Sequence, residues 1–155
     1  QFKVSLQLAG IDVSTFGRGS AKPVEMLYYE VEEKQCALEV TATKGDLGSM
    51  QRVVEQVQIA LVAPIDGEDH VLLAISPRDS QAKGPKKQLL ENKLLVGQPW
   101  RDGIEHCLER HLQLDRRDQR EHLQVDLSSY AYQEKEGISA TYPGMVTQYR
   151  FHQVV

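Results

Sequence analysis

The chain has 155 residues, of which 41% are hydrophobic and 26% are charged, and its formal net charge is −4. This length favours one domain with a full hydrophobic core over two separate domains. The net negative charge, without any dense basic run, argues against a nucleic-acid-binding protein. Cys36 and Cys107 lie far apart in the sequence, so we expect two free thiols and no disulfide framework.

The hydropathy pattern bears on the compartment. No apolar run is long enough to cross a bilayer, and the first residues lack the charged start and apolar stretch of a secretory signal. We therefore expect a soluble intracellular protein, in the cytoplasm or in an organelle such as a plastid, and not a secreted one. The last residues, 148–155, stop within a strand-like pattern, which is consistent with a longer polypeptide.

The first elements in chain order are a predicted strand and a predicted helix. Residues 2–8 alternate apolar and polar side chains, which predicts a half-buried leading strand. The glycine-rich segment 16–22 comes just before Pro23, and apolar residues then recur at helical spacing as far as Val31. Proline suits the first turn of a helix, so a helix is expected from Pro23 onward, with the glycine-rich segment packed tightly against its start.

The next elements are predicted to be strands. Residues 37–42 predict a short strand, 44–49 a turn, and 50–64 the longest strand. The dipeptide Asp66-Gly67 is typical of a hairpin turn, and it leads into a predicted strand over 70–76.

A polar loop and a helix come next. Residues 77–88 are polar and include Lys86 and Lys87, which indicates a mobile loop with an exposed positive charge. From Pro99 the pattern predicts a helix. Its apolar stripe, at intervals of four residues, consists of Trp100, Ile104, Leu108 and Leu112.

The last segments alternate again. Residues 114–121 are predicted to be a charged connector, 122–133 a strand, 137–144 a turn region and 145–155 a closing strand. Strands mixed with two helices predict an α+β domain over residues 1–155, with a largely antiparallel or mixed β-sheet and α-helices packed on it.

The segment 92–114 has the frame of a catalytic motif without its carboxylates. The frame is G-x(5)-E-x(7)-R-E-U-x-E-E-x-G-U, where U is a bulky apolar residue. Its apolar positions correspond to Leu108 and Leu114. Its glutamate positions are occupied by Gln98, Cys107, Arg110 and His111.

That frame is the Nudix box, and the chain resembles a Nudix-like family of plants and algae in four further segments, which appear in the family's order. The first is F-G-x-G-x-A-K before a helix, and the second is R-V-V at the start of a strand. The third lies just before the box, where a leucine and a lysine are followed by G-E-x-W, whose glutamate is replaced here. The fourth is Y-P-G with a later Y-x-x-H. The matching residues are Phe16, Gly17, Gly19, Ala21 and Lys22; Arg52, Val53 and Val54; Leu90, Lys93, Gly97 and Trp100; and Tyr142, Pro143, Gly144, Tyr149 and His152. The match covers residues 16–155 and leaves 1–15 outside it.

The resemblance implies a Nudix-like fold whose chemistry has been lost. Nudix hydrolases hold Mg²⁺ or Mn²⁺ on carboxylates of one helical face, and Arg110 would repel such an ion. We therefore expect no catalytic residue, no metal and no cofactor. A zinc site on Cys107 and His111, four residues apart, lacks further ligands, so a buried thiol beside a surface imidazole is the preferred interpretation.

Three functions remain in order of preference. The first is a catalytically inactive structural or protein-interaction module with protein partners in a larger assembly, whose interaction face includes Trp100, Arg110, His111, Lys86 and Lys87. The second is a regulatory domain in which Arg110 and His111 hold a nucleotide or another phosphorylated small molecule without turnover. The third is a residual diphosphate hydrolase.

Overall fold

The structure is a computed structural model that describes residues 1–41, 49–76 and 86–155. Its helices are α1 (Phe2–Leu8), α2 (Val24–Glu32), α3 (Trp100–Leu112) and α4 (Arg116–His122). Its strands are β1 (Ala37–Thr41), β2 (Ser49–Ile59), β3 (Val62–Ile65), β4 (Glu68–Val71), β5 (Ala74–Ser76), β6 (Lys86–Gln88), β7 (Leu90–Lys93), β8 (Ala131–Ile138) and β9 (Val146–Val154). Short 3₁₀ turns lie at Val13–Thr15 and Leu127–Ser129.

A five-stranded mixed sheet carries the strand order β1-β2-β9-β8, and β7 also pairs with β2. β2 is long enough to pair antiparallel with β1 along its first half and with β7 along its second half, where Ile59 lies opposite Leu90. The strands β3 and β4 form one separate hairpin, and β5 pairs with β6 in another. The predicted α+β class with a mixed sheet is therefore confirmed.

The residues group into two compact units, and the strands β2, β8 and β9 contribute residues to both. The first unit comprises 1–55, 94–97 and 134–150, and the second comprises 56–93, 98–133 and 151–155. The core of the first unit consists of Leu6, Ile11, Phe16, Val24, Leu27, Cys36, Val54, Tyr142 and Met145. The buried apolar residues of the second unit include Val57, Ile59, Leu90, Ile104, Cys107, Leu108 and Val154.

The leading strand predicted for residues 2–8 is wrong, because this segment is the helix α1. Phe2 and Leu6 are four residues apart and therefore share a helical face, and Leu6 is fully buried in the first unit's core. Val4 and Leu8, which the alternating pattern placed on the same buried face, are 54% and 76% exposed. A short apolar alternation fits both periods, and core packing selects the helical one.

The charged connector predicted for 114–121 is also wrong, since most of it is α4. The Asp115 carboxylate accepts hydrogen bonds from the backbone N–H groups of Arg117 and Asp118, which caps the helix at its start. The strand predicted for 122–133 begins only at Ala131. Before it, Asp126 caps the 3₁₀ turn Leu127–Ser129 by accepting from the Ser128 N–H, and this turn interrupts the extended pattern.

Three other predicted elements have different boundaries in the structure. The long strand predicted for 50–64 ends at Ile59, after which the chain leaves the main sheet for the β3–β4 hairpin, and the strand predicted for 70–76 is divided between β4 and β5. Within the loop predicted for 77–88, residues 77–85 lie outside the described part, whereas Lys86–Gln88 pair with β5. The turn predicted for 44–49 lies outside the described residues except for Ser49, which begins β2.

Several predicted elements are confirmed. Pro23 is the N-cap of α2, Pro99 is the N-cap of α3, and β9 covers most of the predicted closing strand. The hairpin at Asp66-Gly67 has two residues with positive φ, 54° and 84°, as a two-residue turn of type I′ requires. Among the described residues, none of the helices is both long and apolar enough to cross a membrane.

Candidate functional site

α3 is the element on which the predicted site residues meet. It begins after Pro99, which has an extended backbone, and it ends at Gln113, whose left-handed backbone (φ 57°) lets its N–H bond to the Glu109 carbonyl. Arg110 and His111 lie in the last turn, where positive charge is favoured by the helix dipole. The stripe predicted from the sequence is buried at Ile104 and Leu108, while Trp100 and Leu112 are half-buried.

One face of α3 lies against β7 in the second unit. The Arg110 Nη1 donates to the Asn92 Oδ1 at 3.3 Å, and the His111 Nε2 lies 3.1 Å from the Glu91 carbonyl oxygen, to which it donates. Cys107 is fully buried on the same face. Arg110 and His111 therefore connect the helix to a neighbouring strand of the same chain.

The chemistry of Cys107 follows from its burial. Burial raises the pKa of the Cys107 thiol to about 11, with a further rise from nearby Glu91 and an opposing effect of Arg110. A thiol with this pKa is almost entirely protonated at neutral pH, whereas nucleophilic attack and metal binding need the thiolate. The preferred interpretation of a buried thiol next to an exposed imidazole is confirmed at Cys107 and His111.

The other vestigial position, Gln98, lies away from this contact. Its Nε2 donates to the His106 Nδ1 at 3.1 Å. Gln98 therefore contacts a different face of α3 from the one that carries Cys107. In the described part of the chain, no group of three or more His, Cys, Asp or Glu side chains is arranged to hold a metal ion.

Trp100 belongs to an aromatic row in the second unit. Its ring stacks on Tyr130 with the centroids 4.9 Å apart, and the Arg101 guanidinium lies 5.3 Å from the Trp100 ring centroid. The Tyr130 hydroxyl is hydrogen-bonded to the His152 Nδ1 at 3.0 Å, and His152 also lies beside Tyr132. The structure thus gives Trp100 an anchoring role between α3 and the start of β8.

The two lysines of the predicted interaction face lie on β6. The Cα of Lys87 pairs with that of Ile75, and the Lys87 side chain is exposed. The side chain of Lys86 lies outside the described part of the structure. Neither lysine is placed by any described contact next to Arg110 or His111.

A groove between α3 and α4, the α3–α4 groove, was not predicted. It encloses about 260 Å³ and is lined on α3 by Arg101, Ile104, Glu105 and Leu108, on α4 by Arg116, Gln119 and Arg120, and beyond the end of α4 by Leu123, Val125 and Leu127. A second cavity of about 240 Å³ adjoins it, because both are lined by Ile104, Leu108, Leu123 and Val125. The groove could have been predicted only from α4, and the charged residues 114–121 had indicated a connector instead of that helix.

A buried charge cluster in the first unit also escaped the sequence analysis. The Glu30 carboxylate accepts from the Lys22 Nζ at 2.9 Å, the Arg52 Nη2 at 2.7 Å and the Tyr142 hydroxyl at 2.9 Å. Burial alone would raise the pKa of Glu30, but these hydrogen bonds outweigh it and hold the pKa below its ordinary value. Phe16 lies against the Tyr142 ring, with 5.6 Å between the centroids.

The residues around Glu30 come from three of the family-like segments. Phe16 and Lys22 belong to the glycine-rich segment, Arg52 to the R-V-V segment, and Tyr142 to the Y-P-G segment. These segments therefore share a structural purpose, which is to enclose one buried carboxylate of α2. Tyr142 lies in the predicted turn region 137–144 and is fully buried in the core.

A second ion-pair cluster surrounds Arg150 on β9. Its guanidinium donates to both carboxylate oxygens of Glu39, at 3.1 and 2.9 Å, and its Nε donates to the Gln148 Oε1 at 3.1 Å. Glu55 and Glu134 lie slightly farther from it, at 3.8 and 3.7 Å. This bidentate ion pair connects β9 strongly to β1. The surrounding carboxylates also neutralise the positive charge of Arg150.

The chain was also compared with known proteins: no family model, curated protein or solved structure matches it. The Nudix-like assignment therefore stays a prediction from the order of the sequence motifs.

Proposed function

We propose that this chain is an interaction module with a Nudix-like fold and without Nudix chemistry, acting within a larger assembly. The proposal rests first on the motif order and on the missing carboxylates at 98, 107, 110 and 111. It rests second on the contacts of α3. An enzyme would need the face of Cys107, Arg110 and His111 open to a metal and a diphosphate, and here that face is engaged by β7.

The observation that carries the proposal is the pair of bonds from Arg110 and His111 to β7. A metal ion at this place would face a guanidinium and a protonated thiol instead of hard oxygen anions, so its binding would be unfavourable. In this proposal Arg110 and His111 stabilise the packing of α3 against β7 and take no part in a reaction. The function of the module then lies on its other surfaces.

Turnover is the direct test. The 155-residue chain is incubated with Mg²⁺ or Mn²⁺ and a panel of nucleoside diphosphate compounds, and phosphate-containing products are measured against a buffer blank. We expect no product above the blank. Glu105 and Glu109 are the two glutamates of α3. Turnover that disappears in the Glu105→Gln, Glu109→Gln double variant would show a hydrolase and contradict the proposal.

Purification from the native source with partners retained tests the positive side of the proposal. We expect the chain to elute with at least one other protein, at a mass well above 17.5 kDa. Elution alone as a stable monomer would count against an interaction module.

The second function, binding of a phosphorylated small molecule by Arg110 and His111, is less well supported. One guanidinium nitrogen and the imidazole Nε2 already donate to β7, so a phosphate would have to compete with these bonds. Thermal-shift measurements with ADP-ribose, NAD and nucleotides decide the matter, because a ligand that binds the folded state raises the melting temperature. We expect no shift at millimolar ligand.

A further inference from the structure

The α3–α4 groove has the layout of a surface that receives a helix. Its lining residues on α3 are 101, 104, 105 and 108, and those on α4 and its C-cap are 116, 119, 120 and 123. Both sets follow the spacing i, i+3, i+4, i+7, so each helix presents one continuous face to the groove. Ile104, Leu108 and Leu123 supply apolar surface, and polar residues alternate with them. Amphipathic helices are recognised by apolar grooves of this kind.

The two walls are held together before any partner binds. The buried Gln119 donates from its Nε2 to the carbonyl oxygens of Glu105 and Leu114, at 3.0 and 2.8 Å. Arg116 and Glu105 form an ion pair across the two helices, with 2.9 Å between Nε and Oε2. A groove whose walls are already in place costs less conformational entropy when it is filled.

Apolar surface continues past the groove and remains uncovered. Val125 is 41% exposed and Leu127 is 55% exposed, and both line the cavity next to Leu123. The adjoining cavity extends this surface. Two cavities in a row fit an elongated occupant better than a compact small molecule.

The charged residues that line the α3–α4 groove indicate what kind of partner it binds. Three arginines line the groove, Arg101, Arg116 and Arg120, against one carboxylate, Glu105, which is already paired with Arg116. An open cavity beside the groove is lined by Arg116, Arg117, Arg120 and one carboxylate, Glu121, so cations outnumber carboxylates there as well. Within the described ranges, neither Arg117 nor Arg120 is in an ion pair. This local positive charge belongs to a chain with a net charge of −4, so it is a feature of the site and not of the composition.

We propose that the α3–α4 groove binds an amphipathic, acidic helix of a protein partner. This inference rests on the proposed function and deepens it by naming the surface and the chemistry of the partner. The helix places apolar side chains on Leu123, Val125 and Leu127, above the buried floor that Ile104 and Leu108 form, and its carboxylates meet Arg101 and Arg120. Complementary charge then sets the orientation and speeds association.

Two designed peptides test the proposal. Both are labelled helices of equal length with leucines at i, i+3, i+4 and i+7, and they carry either glutamates or lysines beside that stripe. Fluorescence anisotropy gives the Kd of each for the 155-residue chain. We expect the acidic peptide to bind about tenfold tighter than the basic one, or more, and to weaken as salt is added.

Groove variants make the test specific. Leu123→Asp and Arg120→Glu should each weaken the acidic peptide by about tenfold or more, and Arg120→Glu should improve binding of the lysine peptide. Arg18→Glu, the same charge reversal at an exposed position in the other unit, should leave both affinities unchanged. The gain for the lysine peptide cannot come from misfolding, so it separates a docking role from a structural one.

Several results would overturn the inference. Equal binding of both peptides, no binding of either, or insensitivity to Arg120→Glu would each remove the acidic helix as the occupant. Self-association of the chain that Arg120→Glu abolishes would assign the groove to a second copy instead. If partners from the native source stay bound to the Arg120→Glu variant, the assignment of the groove is wrong and the proposed function still holds. Turnover of a diphosphate would contradict only the proposed function.

Discussion

Glu30 shows how single residues hold the first unit together. A buried carboxylate is tolerated only when its charge is paired and its oxygens are hydrogen-bonded. Here Arg52 and Lys22 supply the charge and Tyr142 a hydroxyl donor, from three distant segments of the chain. The Arg52 guanidinium also lies 5.5 Å from the Tyr142 ring centroid, so the donors contact one another as well. One carboxylate thus links α2, β2 and the turn before β9.

The substitution Glu30→Gln should destabilise the protein by about 3 kcal/mol, because it leaves the buried Arg52 charge uncompensated. Urea unfolding measures the loss as a lower midpoint with an unchanged slope. Tyr142→Phe is the matched control, since it removes one hydroxyl donor and no charge, and should cost about 1 kcal/mol. Similar losses in the two variants would show that the ion pair adds nothing to the cluster.

The lowered pKa of Glu30 also predicts a pH dependence. A carboxyl group with a lower pKa in the folded state stabilises the fold at pH values above its unfolded pKa, about 4.3, and this contribution is lost as the pH falls through the folded pKa. Unfolding free energies measured from pH 7 down to pH 2 should therefore decline in the acid range. Glu30→Gln should show a shallower decline, and an identical acid profile in both proteins would contradict the assignment.

At the scale of elements, α4 forms one wall of the proposed binding groove, and the sequence pattern did not predict this helix. Its seven residues are mostly charged, so it has little apolar stripe of its own. It is held by its cap at Asp115 and by the buried Gln119, whose bonds reach the carbonyl groups of Glu105 and Leu114. Short helices gain most of their stability from such tertiary contacts.

Asp115→Ala should loosen α4 while leaving the rest of the protein folded. The change removes the acceptor of two backbone N–H groups, those of Arg117 and Asp118, at a cost of about 1 kcal/mol. Hydrogen exchange should become faster at the amides of α4 and stay unchanged in α2. The same variant should bind the acidic peptide more weakly. Asp115→Asn, which keeps a capping oxygen, should behave much like the original protein, and a loss of protection throughout the chain would contradict a local role.

At the scale of the molecule, the two units share three strands. β2, β8 and β9 each contribute residues to both units, so the backbone of each of these strands belongs to both. Interactions that share elements unfold cooperatively. Calorimetry should therefore show one transition, with equal calorimetric and van't Hoff enthalpies. Two resolved transitions would show that the units are independent, and would contradict the single domain predicted for residues 1–155.

Much of the local structure could be predicted from the sequence. Pro23 and Pro99 marked the starts of α2 and α3, and Asp66-Gly67 marked a hairpin, because proline and glycine restrict or permit particular backbone angles wherever they occur. The buried pair Ile104 and Leu108 followed from the helical period. These features depend on neighbours along the chain, so a linear pattern is enough to predict them.

The sequence by itself determined the α+β class, the start of α3 after Pro99, and the thiol, guanidinium and imidazole side chains at positions 107, 110 and 111. Only the tertiary structure decided that residues 2–8 form a helix, that Arg110 and His111 bind β7, that three distant segments enclose Glu30, and that α3 and α4 form a groove. The physical reason is that period and capping are local properties, whereas the partner of a charge and the exposure of an apolar face depend on which segments packing brings together.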